Sequence, residues 1–149
     1  MSPGSFEERS SKSPSTHSPS AGEARRAEVT LSPVPGSVPL ARRFVASLDF
    51  AGGSDPERLA LLTAEIVTNA ILHARTPLKV EAIEMAGRGV RVSVTDGNAN
   101  PPVKKDYGPS SPTGRGLHIV EAMADRWGFE SLASGKTVWF ELGSEDGSD

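Results

Sequence analysis

Between Asp55 and Arg75 the apolar positions recur with a helical period, and three polar residues fall on the apolar arc. Glu65, Asn69 and His73 are spaced by four, so at roughly 100° per residue each lies about 40° from the last. On a wheel begun at Leu59 they fall at roughly 240°, 280° and 320°. Leu61, Leu62, Ile66 and Leu72 flank them on the same arc. The pattern predicts that these polar groups face the core side, where an unpaired carboxylate is costly and calls for a metal, a ligand or water. A single polar residue in such a place is usually a boundary position or is satisfied by nearby backbone. Three in register, offering both metal-ligand and general-base chemistry, weigh the other way. Asp55-Pro56-Glu57 supplies the start of this helix: a capping carboxylate, proline at the first helical position and an acid in the first turn. Thr76-Pro77 stops it near Arg75.

The same patterning predicts the remaining elements. Residues 28–31 form a short strand. Ser37 caps a helix running to about Leu48, with Val38, Ala41, Val45 and Leu48 on one face. Residues 78–85 and 90–95 are strands joined by a Gly87-Arg88-Gly89 turn. The second alternates, with Val90, Val92 and Val94 on one face and Arg91, Ser93 and Thr95 on the other. Residues 97–113, rich in Gly, Pro, Asn and Ser, read as a long irregular loop, either a functional lid or a disordered segment. Gly114-Arg115-Gly116 opens a helix over 117–124. Trp127-Gly128 turns into a last hairpin, 129–132 and 137–142, around Ser134-Gly135-Lys136. This order predicts an α+β fold, a two-layer α/β sandwich with helices on one face of a mostly antiparallel mixed sheet.

Composition narrows the class. The 149 residues fit one domain, expected over 27–142, between a Ser/Pro-rich disordered tail at 1–26 and an acidic end at 143–149. A formal charge of −3 makes no electrostatic case for direct nucleic-acid binding. No apolar run is long enough to span a membrane, and the amino terminus lacks a signal peptide's apolar stretch. The absence of cysteine removes disulfides, Cys-ligated zinc and a thiol nucleophile. A cytoplasmic protein is the expectation.

Several short motifs bear on nucleotide chemistry. Gly135-Lys136-Thr137 looks like the end of a P-loop, but Glu130 stands where that motif needs its first glycine, and a strand follows rather than a helix. Gly114-Arg115-Gly116 follows a long loop, not a strand, and so is no dinucleotide fingerprint. It can still bring backbone N–H groups to a helix N-terminus, where phosphate is favoured, with Arg115 adding charge. The plain alternative is a flexible hinge. Asp96 can accept a hydrogen bond from an amine, and Gly97 lets a flat ring approach the backbone; the plain alternative is a strand-ending turn.

Taken in order, these pieces resemble the histidine-kinase-like ATPase superfamily shared by gyrase, MutL and the sensor histidine kinases, whose Bergerat-type fold is the sandwich described above. Glu65-x-x-x-Asn69-Ala70-x-x-His73-Ala74 resembles its N-box and Asp96-Gly97 its adenine-binding box. Gly114-Arg115-Gly116-Leu117 resembles its glycine box and Gly135-Lys136-Thr137 its final Gly-Thr element. The small size, with Gly114-Arg115-Gly116-Leu117-His118-Ile119-Val120 and Trp127-Gly128, is most similar to the stand-alone bacterial anti-sigma-factor serine/threonine kinases.

The resemblance implies ATP and Mg²⁺ as cofactors. Asn69 would hold Mg²⁺ at the phosphates, and Glu65 would be the general base. Asp96 and Gly97 would take the adenine, and Gly114, Arg115, Gly116 and Leu117 the phosphate side. Thr137 would support the adenine-side network. His73 is expected to pack and hydrogen-bond, and His118 to lie on the helix surface or in the core. The implied partners are a sigma factor and an anti-anti-sigma protein of the STAS type, and a homodimer stays open. Two further readings stand beside the kinase: a nucleotide-sensing interaction module without catalysis, whose lid orders on binding ATP, and a simple ATPase. The helix over 38–48, with Arg42 and Arg43 beside Phe44, is either a partner surface or an ordinary solvated face. The chain departs from the adenine-box pattern at Asn98 and Asn100, where glycines are usual, and Pro101-Pro102 follow. That implies a stiffer or differently shaped lid and bears on nucleotide affinity more than on the fold. No histidine-phosphorylation helix or sensor region precedes the domain, so a complete sensor kinase is not expected.

Overall fold

The computed structural model describes residues 25–51, 53–86, 89–98 and 112–143, the side chains of 51 and 112–116 excepted. The expected tail, most of the loop that follows Asn98, the tip of the 87–88 turn and residues 144–149 lie outside these. Five strands form one sheet: β1 (Arg26–Leu31), β2 (Leu78–Glu84), β3 (Gly89–Asp96), β4 (Arg126–Leu132) and β5 (Gly135–Gly143), in the order β1-β2-β3-β5-β4. All four described pairings are antiparallel. Helices α1 (Ser37–Ala46), α2 (Pro56–Ala74) and α3 (Pro112–Met123) complete the α+β sandwich. The central helix is α2, which packs against α1 and α3 and onto β2, β3 and β5.

Alternation decides which face of the sheet the helices cover. Val80 and Ala82 of β2, Val90, Val92 and Val94 of β3, and Val138, Phe140 and Leu142 of β5 point into one cluster with Leu62, Ile66 and Val67 of α2. The intervening residues face away from the helices. There Arg91 lies 4.0 Å over the Trp139 ring and pairs with Glu141 at 2.8 Å, and Arg26 pairs with Glu81 at 3.1 Å. This charged and aromatic layer keeps the second face from needing a helical cover.

The predicted starts and stops of α2 are present. The Asp55 carboxylate accepts from the backbone N–H of Glu57 at 3.0 Å and of Arg58 at 3.5 Å, and Arg75 ends the helix in the left-handed region at φ 58°. Ser37 does not cap α1: it is the first helical residue, and its hydroxyl donates to the Ser32 carbonyl at 2.7 Å. The helix start is therefore held by the preceding loop. Trp127-Gly128 lies inside β4, so the closing turn falls at 133–134 and Gly135-Lys136 belong to β5. Likewise α3 begins at Pro112, which places Gly114, Arg115 and Gly116 within its first turns, not ahead of it. Among the described residues no helix is long and apolar enough to cross a membrane.

Replacing Asp55 by Ala should cost about 1 kcal/mol, because the amides at the start of α2 lose their acceptor. Leu62→Ala, at a fully buried position, should cost about 2–5 kcal/mol. Urea unfolding of both variants checks the ranking; equal losses would contradict it.

Candidate functional site

The buried arc of α2 passes through Leu62, Ile66, Leu59, Ala70, Val67 and Ala74, so the polar stripe forms its margin. Asn69 is buried at 7% exposure, whereas Glu65 and His73 are half-buried. Leu61 and Leu72, expected to flank the stripe inside the core, are exposed at 36% and 44%. The reason is that α2 is apolar around much of its circumference. Packing against the sheet and α1 selects one arc, and periodicity alone places the centre of that arc poorly.

Asp96 closes β3 directly opposite Lys136 of β5, so both side chains rise on the helix-covered face. The Lys136 ammonium lies 3.1 Å from Asp96 Oδ2 and 3.4 Å from Oδ1, with side-chain exposures of 4% and 1% for Lys136 and Asp96. The same ammonium donates to the Asn98 carbonyl at 3.3 Å. Asn98 ties the strand end to the helix: its backbone N–H donates to Asp96 Oδ1 at 2.8 Å and its amide to the His73 carbonyl at 3.1 Å. Gly97 N–H donates to the Thr76 hydroxyl at 2.8 Å. Gly135 is required where β5 leaves its turn, because a Cβ there would strike the Asp96 carbonyl.

A small cavity of about 10 Å³ marks this convergence, lined by Asn69, His73, Asp96 and Lys136 among apolar neighbours that include Ile66 and Val94. A larger concavity of about 550 Å³ lies on the other face of the sheet, beside Arg91 and Trp139, away from the α2 stripe. Residue chemistry favours the small one: it holds a carboxylate, an amide and an imidazole together, and size alone carries no function.

Asn69, Asp96 and the backbone of Gly97 are thus brought to one end of α2, with Glu65 one turn further along the same helix edge. Thr137 is not brought there. It sits on the open face, where its hydroxyl and that of Thr95 are 2.8 Å apart. Strand alternation puts Lys136, its neighbour, into the site instead. Leu117 is buried in α3 and His118 is exposed. The Arg115 side chain and the greater part of the lid lie outside the described residues. Sequence reasoning missed Lys136, Asn98 and Thr76 as site residues. The signal for Lys136 was its two-residue phase with Val138 and Phe140; Asn98 stood out only as a departure from the adenine-box glycines, and Thr76 carried no signal that a turn would not also carry.

Burial first, and then the positive charge of Lys136, hold the His73 imidazole below its ordinary value. The unfolded chain takes up this proton near about pH 6.5, and the folded one resists it to lower pH. His73 therefore contributes stability that is complete above the unfolded value and is lost as pH falls through the lowered folded one. His73→Gln should flatten the decline in melting temperature between about pH 7.5 and about pH 5.5, read by circular dichroism. An unchanged slope would contradict this source of the pH dependence.

No curated protein matches the chain in sequence. Among solved structures it is similar to the crystal structure of the RsbU and RsbW domains of Rv1364c from Mycobacterium tuberculosis, with a TM-score of 0.57 and 20% identity. That match covers 80% of this chain and 32% of the other, so the chain spans about a third of that protein's length and shares its fold over that part. A family model matches residues 31–142, from the last residue of β1 almost to the end of β5 and through all three helices. The chain belongs to the histidine kinase-like ATPase domain family.

Proposed function

We propose that this protein binds ATP to regulate partner proteins, acting as an anti-sigma-factor serine/threonine kinase that phosphorylates an anti-anti-sigma partner. The observation that carries the reading is convergence: residues distant in sequence, Asn69 of α2 and Asp96 of β3, line one cavity on the helix-covered face. The family is one of ATPase domains, and the solved relative includes a domain named RsbW. The sequence resemblance to stand-alone anti-sigma-factor kinases points the same way.

The chemistry fits these residues. Among those described, no group of three or more His, Asp or Glu side chains could hold a metal alone. An oxygen ligand such as the Asn69 amide suits Mg²⁺, which commonly keeps waters and takes phosphate oxygens for its other positions. When bound, that ion would neutralise charge on the phosphates. Glu65, one turn earlier, would take the proton from a partner's serine hydroxyl as its oxygen bonds the γ-phosphorus and ADP leaves. The first turns of α3, holding Gly114 and Arg115, would offer backbone N–H groups to the phosphates. Asp96 would accept the adenine amino group, with Gly97 beside the ring.

A second reading, a nucleotide-sensing module without phosphoryl transfer, is favoured by one feature: the Asp96 carboxylate is already paired with Lys136. Weak nucleotide binding would suit a sensor whose partner affinity follows lid ordering.

Calorimetry with Mg²⁺ and ATP should give binding that Asn69→Ala weakens at least about tenfold, or ~1.4 kcal/mol. Glu65→Ala should abolish phosphate transfer to a partner serine while leaving ATP affinity within about threefold. Transfer surviving Glu65→Ala would remove the assigned base. Partner affinity that follows ATP while no phosphate moves would establish the sensor reading instead.

A further inference from the structure

We propose that Lys136 is a resident occupant of the base pocket: its ammonium holds Asp96 in the place of a nucleobase's exocyclic amino group, and a nucleotide binds only by displacing it. The inference rests on the nucleotide reading above and concerns how that site is regulated.

Three observations carry it. Lys136 and Asp96 are direct cross-strand partners, so the contact is built into the β3–β5 register and is not a chance excursion of a long surface chain. Both carboxylate oxygens are engaged, Oδ1 by Asn98 N–H and Lys136 and Oδ2 by Lys136, which leaves few acceptor positions for an incoming amine. The remaining cavity of about 10 Å³ has room for about one water and none for a purine ring.

The competition is unequal. A charged ammonium against a buried carboxylate makes a stronger contact than the neutral amino group of adenine. Base entry therefore requires the lysine to swing toward solvent on its four-carbon stem, or to remain as a buried, unpaired charge. Either way the nucleotide's apparent affinity falls by the fraction of molecules in which the pocket is open. A partner contact that draws the ammonium out would raise affinity without touching the phosphate side.

Isothermal titration with Mg²⁺ and ATP tests this in the wild-type protein, Lys136→Met and the double variant Asp96→Asn/Lys136→Met. The single variant removes the ammonium but strands a carboxylate. The double one leaves no unpaired charge and keeps an oxygen acceptor for the base, so it decides the matter if the single variant does not fold. Both should bind ATP at least about tenfold more tightly than wild type. Affinity for Mg²⁺ tripolyphosphate, which has no base, should be unchanged. Wild-type binding with no tightening in the variants, or equal tightening toward tripolyphosphate, would overturn the role of Lys136 and leave the nucleotide reading standing. No ATP binding by any of the three proteins would overturn both.

Discussion

The buried contact between Asp96 and Lys136 governs the shape of the candidate site. Such pairs add little net stability, because desolvating both ions offsets most of their attraction, yet losing one partner costs roughly 3–5 kcal/mol. What maintains this one is geometry. The antiparallel register of β3 and β5 places the two side chains opposite each other on the helix-covered face, and Gly135 lets the strands close without a Cβ against the Asp96 backbone. Asn98 then links the carboxylate to the end of α2 through the His73 carbonyl. Strand end, helix end and the start of β5 form one hydrogen-bonded unit.

That unit explains how a largely apolar helix can carry polar chemistry. The polar stripe of α2 runs along the margin of the buried arc, where the helix meets the ends of β3 and β5. Asn69 can be buried there and still face a cavity, while Glu65, further along, keeps partial access to solvent. On the proposed reading, two tasks would be separated along one helix edge: base-side recognition near His73 and Asp96, and phosphate-side chemistry near Glu65 and the start of α3. In the proposed kinase both tasks act on one nucleotide. In the proposed sensor only the first and the lid would matter.

Much of the fold was legible in the sequence because its signals are local. Asp55-Pro56 and Thr76-Pro77 bound α2, and the alternation of Val90, Val92 and Val94 oriented β3. The motifs at Glu65/Asn69, Asp96-Gly97 and Gly114–Gly116 indicated the family that the match over 31–142 shows. The failures arose where tertiary context decides. Ser37 looked like a cap but bonds back to Ser32, a choice set by the loop. Leu61 and Leu72 looked buried, but a helix apolar on most sides leaves its core arc to be chosen by its neighbours. Thr137 looked like a site residue through the motif, whereas the strand's two-residue period turns it away and turns Lys136 in. Reading β5 from Val138 and Phe140 backward, instead of from the Gly-Lys-Thr motif forward, would have found this.

The most direct test of the site is backbone amide NMR of the labelled protein titrated with Mg²⁺ and ATP. A nucleotide seated between α2 and the ends of β3 and β5 should shift the amides of Asn69, Asp96, Gly97, Asn98 and Lys136 together. Amides on the open face, at Arg91, Thr137 and Trp139, should move less. Shifts centred on that open face, or none at saturating ATP, would contradict the placement of the site.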